Sequence, residues 1–122
     1  MAMQRIWIVC GALLGAIAVM LAAAGAHGLQ SRGQLAVDEV RAAAQIAGWH
    51  SLALLSVAFW VSRGGRLAVL AGCGFLLGAI VFIVAVVGDA FGIGGVAQAA
   101  PVGGTLLIAA WLLLAASAVR AR

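Results

Sequence analysis

Residues 6–29 read IWIVCGALLGAIAVMLAAAGAHGL, a run without a single aspartate, glutamate, lysine or arginine. At 1.5 Å per residue it makes a helix of about 36 Å, enough to cross a hydrocarbon core of roughly 30 Å. A helix is also the only single segment that satisfies its own backbone hydrogen bonds in lipid. Reading outward, residues 42–62, 67–88 and 102–119 have the same character, and all the charged side chains fall outside these four runs. A soluble bundle would carry a polar face on each helix; these runs are apolar all round.

The sequence therefore predicts an all-α membrane protein, a bundle of four transmembrane helices forming one domain over residues 1–122. Only 8% of the 122 residues are charged and 66% are hydrophobic. The stretches between runs, the dozen residues 30–41 among them, leave no length for a second, soluble domain. The N-terminus imitates a signal peptide, with Arg5, an apolar stretch and small residues at 22–24. The stretch exceeds the roughly 7–15 residues of a signal core, so a retained first helix is expected.

Charge then sets the expected topology. Four crossings put Arg5, Arg63, Arg66, Arg120 and Arg122 on one side, and Arg32, Arg41, Asp38, Glu39 and Asp89 on the other. The arginine excess in short loops predicts both termini in the cytoplasm. The net charge of +4 thus reports topology before any nucleic-acid partner. Trp7 and Trp60, close to Arg5 and Arg63, are expected at an interfacial aromatic belt. Cys10 and Cys73 lie inside apolar runs towards the reducing side and are expected to be unbridged, small buried hydrophobes.

The linkers differ in kind. Arg63-Gly-Gly-Arg66 reads as a tight basic turn between antiparallel neighbours. Gln34, Asp38, Arg41 and Gln45 are spaced 4, 3 and 4 apart, drawing one polar stripe at helical pitch. Helix two is therefore expected to start near Gln34, with an amphipathic extension over 34–41. Residues 88–100 are Gly-rich, and Pro101 suits the first turn of helix four. A faint repeat aligns Cys10-Gly-Ala-Leu-Leu-Gly-Ala-Ile17 with Cys73-Gly-Phe-Leu-Leu-Gly-Ala-Ile80, and Gly25 with Gly88. It would be a parallel hairpin duplication, or the chance likeness of two Gly/Ala/Leu-rich helices.

Few residues could carry chemistry. Gly11-xxx-Gly15 and Gly74-xxx-Gly78 each leave one helix face bare, which lets backbones approach closely in lipid. They serve either association between subunits or packing within one bundle. His27 and His50 are the only groups inside the runs that titrate near neutral pH, and such groups are functional candidates by default. Both fall in the outer half by the expected topology, where they could face one another. Glu39, eleven residues before His50, shares its helix face. Two neutral histidines exchanging hydrogen bonds between helices is the preferred reading; a bis-histidine haem or metal site is the sharper alternative. Ser51, Ser56 and Thr105 are expected to bond to backbone one turn back. No nucleophile–base order, paired carboxylates or phosphate loop is present, so no catalytic residue, cofactor or metal is assigned and no enzyme is expected.

Gly25-Ala-His-Gly-Leu29, Trp49-His-Ser-Leu-Ala-Leu-Leu55, Pro101-Val-Gly-Gly104 and Trp111-Leu-Leu-Leu114 resemble, in order, the YgdD-type small bacterial inner-membrane proteins. These form a domain-of-unknown-function family with distant eukaryotic transmembrane relatives. The resemblance implies four transmembrane helices in a bacterial inner membrane and no established activity, with signature positions Gly25, His27, Gly28, His50, Pro101 and Gly104. The chain departs from the pattern at Gly48-Trp49, where an aromatic residue, often tyrosine, is common before the histidine, and at Asp89.

Three functions are open at this level. The first is a structural or accessory protein that associates with itself, as a homo-oligomer, or with a larger membrane complex. The second is a small channel or transporter lined by an oligomer. The third is a haem- or metal-binding protein using His27 and His50.

Overall fold

The computed structural model describes residues 2–120. It is all-helical, with α1 (Ala2–His27), α2 (Gln34–Ala90) and α3 (Ala100–Arg120) joined through short 3-10 turns at Gln30–Arg32 and Val96–Ala99. Three helices are long and apolar enough to cross a membrane. Met1 and Arg122, which entered the reading of the N-terminus and the arginine count, lie outside the described residues.

The 57 residues of α2 would reach about 85 Å if straight. They do not stay straight. The rings of His50 and Phe75 are 5.7 Å apart, whereas 25 residues of helix would separate them by about 37 Å. The chain reverses at Gly65, whose φ of 56° and ψ of −142° are open to glycine and costly for any other residue. Two limbs result, 34–64 and 66–90. Sequence reasoning placed separate helices here; the turn is so tight that only Gly65 leaves the helical conformation. Gly64 is equally constrained, since a Cβ there would lie 2.5 Å from the Trp60 indole.

Small residues set the packing. Gly11 meets the Ser51 carbonyl and Leu55, Gly15 meets Ser51, Ala18 meets Gly48, and Gly25 meets Arg41. These pairs run in opposite order, so α1 is antiparallel to the first limb. Gly74 lies on Ala110, and Gly78 lies on Leu107 and the Gly103 carbonyl, which makes α3 antiparallel to the second limb. The limbs form the middle of the bundle, flanked by α1 and α3, which make at most marginal contact with each other. Phe75, Leu54 and Val57 are fully buried between them, with Leu14 and Leu107 closing the core. The two aligned glycine pairs thus do the same task, each seating one flanking helix.

The antiparallel order gathers Arg5, Arg63, Arg66 and Arg120 at one end of the bundle. Arg32, Asp38, Glu39, Arg41 and Asp89 lie at the other. There α2 begins at Gln34 and its polar stripe is exposed, with Gln34 donating to Asp38 at 2.8 Å. Arg32 lies 4.6 Å over the Phe91 ring, tying the first connection to the end of the second limb.

Two expectations about apolar-run residues are corrected. Trp7 is not a belt residue. Gly72 leaves a recess that its indole fills, so Trp7 is buried and its N–H has no partner. Trp60 is half-buried and its N–H bonds to Ser117 of α3. Cys73 is exposed on the outer face of the second limb, while Cys10 is half-buried; both are free thiols.

Candidate functional site

His50 is the buried titratable group of the apolar runs, held at the meeting of both limbs and α3. Its Nδ1 lies 2.7 Å from the Ile46 carbonyl one turn back, an atom that can only accept. Nδ1 must therefore carry the proton. Nε2 then has a lone pair, and the Trp111 indole N–H donates to it at 3.2 Å. The geometry selects a neutral imidazole in the Nδ1–H form with both nitrogens occupied. Phe75 completes a ring cluster, 4.9 Å from Trp111 edge to face. The indole is itself about half exposed on the outer surface of α3. Trp111 thus closes the imidazole off from that surface.

A second link runs between the same two elements. The Trp60 N–H donates to the Ser117 hydroxyl at 2.9 Å, and that hydroxyl donates to the Leu114 carbonyl at 2.6 Å. Ser51, Ser56 and Thr105 each donate to a carbonyl three or four residues back, as expected from their preference for the preceding turn.

His27 does not join His50. The register between α1 and the first limb pairs Gly15 with Ser51 and Gly25 with Arg41. His27 is consequently level with residue 39 or so, and His50 with residue 16, roughly 16 Å away along the axis. His27 is exposed at the end of α1. The expected exchange of hydrogen bonds between the two histidines gives way to the His50–Trp111 bond. A bis-histidine ligand pair is likewise not assembled, and the one free imidazole lone pair on His50 is taken. No cluster of three or more His, Cys, Asp or Glu that could hold a metal occurs among the described residues.

Glu39 is half-buried and lies near Asp89 of the second limb instead of near His50. Burial raises its pKa first, and the neighbouring Asp89 carboxylate raises it further by repulsion and by sharing a hydrogen bond. Two acidic side chains thus meet at one end of the bundle, joining the limbs' far termini.

The remaining signature residues divide into tight and open positions. Gly25 is buried against the Arg41 side chain, and the Gly28 N–H caps α1 by donating to Ala24 at 2.8 Å. Pro101 sits in the first turn of α3 and its carbonyl accepts from Thr105. Gly104 has open space around it. The close approach belongs to Gly103, where a Cβ would lie 2.6 Å from the Phe82 backbone nitrogen and 2.9 Å from the Gly78 carbonyl.

Trp111, Phe75, Ser117 and Gly103 were not singled out from sequence as functional positions. One signal was available: an indole N–H within an apolar run needs an acceptor, and His50 is the unclaimed one.

A family model described as a protein of unknown function (DUF423) matches residues 21–104, well over half the chain. No curated protein and no solved structure matches it. The chain belongs to the DUF423 family. All six signature positions fall within the matched stretch, whereas Trp111, the partner of His50, lies beyond it.

Proposed function

With membership of DUF423 as premise, we propose that the chain is a structural or accessory protein of a bacterial inner membrane. It crosses four times, α1, the two limbs of α2 and α3 each making one crossing, with both termini in the cytoplasm. It acts through association with a second copy or with a larger membrane complex, and carries no catalytic role of its own.

One observation supports this most. The side-chain bonds formed inside the apolar segments stay within the chain: both nitrogens of His50 are occupied, Trp60 donates to Ser117, and the one buried group left without a partner among the described residues, the Trp7 N–H, is sealed against Gly72. A group that must bind substrate, pass a proton or hold a metal needs an unspent donor, acceptor or lone pair. The His50–Trp111 and Trp60–Ser117 links serve instead to fix α3 on α2. Rigid helices without a site of their own are suited to presenting a surface.

The association surface is not the pair of glycine faces, which seat α1 and α3 internally. It lies on the outer faces, such as the second limb's exposed Leu77, Ile80 and Val84. The test is the mass of native protein from membranes solubilised in mild detergent. The reading expects a multiple of the chain mass or a stoichiometric companion; a monomer with no companion contradicts it.

A further inference from the structure

The arginine-rich end of the bundle holds a groove that the helix packing does not explain. It has a volume of about 610 Å³, within the size range of small-molecule sites. Val61, Val69 and Leu70 form apolar wall, and Gln4, Ser62 and Arg66 form its polar part. The groove runs between the start of α1 and the two limbs, just where Gly65 turns the chain.

The three acidic residues of the chain, Asp38, Glu39 and Asp89, all lie towards the opposite end of the bundle. Among the described residues the salt bridge formed is Arg41 with Asp38, so Arg66 has no carboxylate partner. Arg66 and Ser62 are exposed, and Gln4 is half-buried. The backbone N–H groups of α1's first turn, at Met3 and Gln4, also lack intrahelical acceptors and favour an anion. A cation and hydrogen-bond donors thus stand at one end of an apolar trough, at the end of the bundle where the apolar runs give way to arginines.

We propose that this groove is a binding site for one anionic phospholipid. Its phosphate pairs with the Arg66 guanidinium, Gln4 and Ser62 bond to phosphate or glycerol-ester oxygens, and an acyl chain lies along Val61, Val69 and Leu70. Arginine suits this role because its planar fork matches phosphate oxygens two at a time. Basic recesses between helices on the cytoplasmic side are a recurring way of holding acidic lipid. The proposal concerns an individual lipid, and does not depend on whether the protein self-associates.

The experiment is native mass spectrometry of the full chain released from micelles. Phosphatidylglycerol or phosphatidylcholine with identical acyl chains is titrated in. One retained phosphatidylglycerol per chain is expected, with clearly weaker retention of phosphatidylcholine. Arg66→Gln should weaken phosphatidylglycerol retention about fivefold, the size of one arginine's contribution at a lipid surface, and Arg66→Lys should restore part of it. Val61→Trp, which fills the trough, should reduce retention of both lipids while helical circular dichroism stays unchanged. Arg120→Gln, equal in charge and at the same end, should leave retention intact. Inorganic phosphate should not displace the lipid. Equal retention of the two lipids would overturn the proposal, as would equal losses in Arg66→Gln and Arg120→Gln, displacement by inorganic phosphate, or a second protein chain in place of lipid.

Discussion

An imidazole in a hydrocarbon layer has to place a donor and an acceptor, and His50 places both within one chain. Its Nδ1–H goes to Ile46 and its Nε2 receives Trp111. Interhelical bonds in membranes couple by about 0.6 kcal/mol on average and up to about 1.7. A double-mutant cycle of His50→Ala and Trp111→Phe should give a coupling in that range, read from unfolding in mixed micelles. His27→Ala, at an exposed site, should stay within about 0.5 kcal/mol of the native protein. Nitrogen-15 spectra should show His50 as one neutral Nδ1–H tautomer. Zero coupling, or a proton on Nε2, would remove the latch. His50 was legible in the sequence as a candidate because a titratable group stands out in an apolar run. Its partner was not, because a side-chain bond 61 residues away depends on how α3 is rotated and shifted against α2.

At the scale of the helix, glycine position decides whether two backbones can meet. Gly103 and Gly104 are adjacent, yet a Cβ on the first would strike backbone atoms of the second limb and one on the second would meet open space. Gly103→Ala should therefore destabilise by about 1–3 kcal/mol, the usual range for forced overpacking, while Gly104→Ala should change stability by less than about 0.5 kcal/mol. Thermal unfolding in the same detergent separates the two, and equal effects would contradict the register of α3 on α2. The apolar runs, the start of α2 at Gln34 and the turn at 63–66 were all readable from charge and spacing. The inward faces were not, because a helix apolar all round carries no amphipathic signal to mark its buried side. For the same reason Gly11, Gly15, Gly74 and Gly78 could be recognised as close-packing positions without revealing whether the neighbour belonged to the same chain.

Across the whole molecule, one residue converts the 57-residue α2 into a hairpin. With the reversal at Gly65, the proposed reading has α1, the two limbs and α3 each crossing once, and the arginine excess in short loops predicts that the arginine-rich end faces the cytoplasm. The proposed function rests on that arrangement, which would put the proposed lipid groove at the cytoplasmic surface and leave the outer helix faces for association. Paired reporters, one active only in the cytoplasm and one only in the periplasm, test it directly when inserted at the 30–33 connection, within 63–66, at 92–95 and after the C-terminus. The account predicts cytoplasmic activity at 63–66 and the C-terminus, and periplasmic activity at 30–33 and 92–95. A periplasmic signal from the C-terminus, or the same side for 30–33 and 63–66, would contradict it.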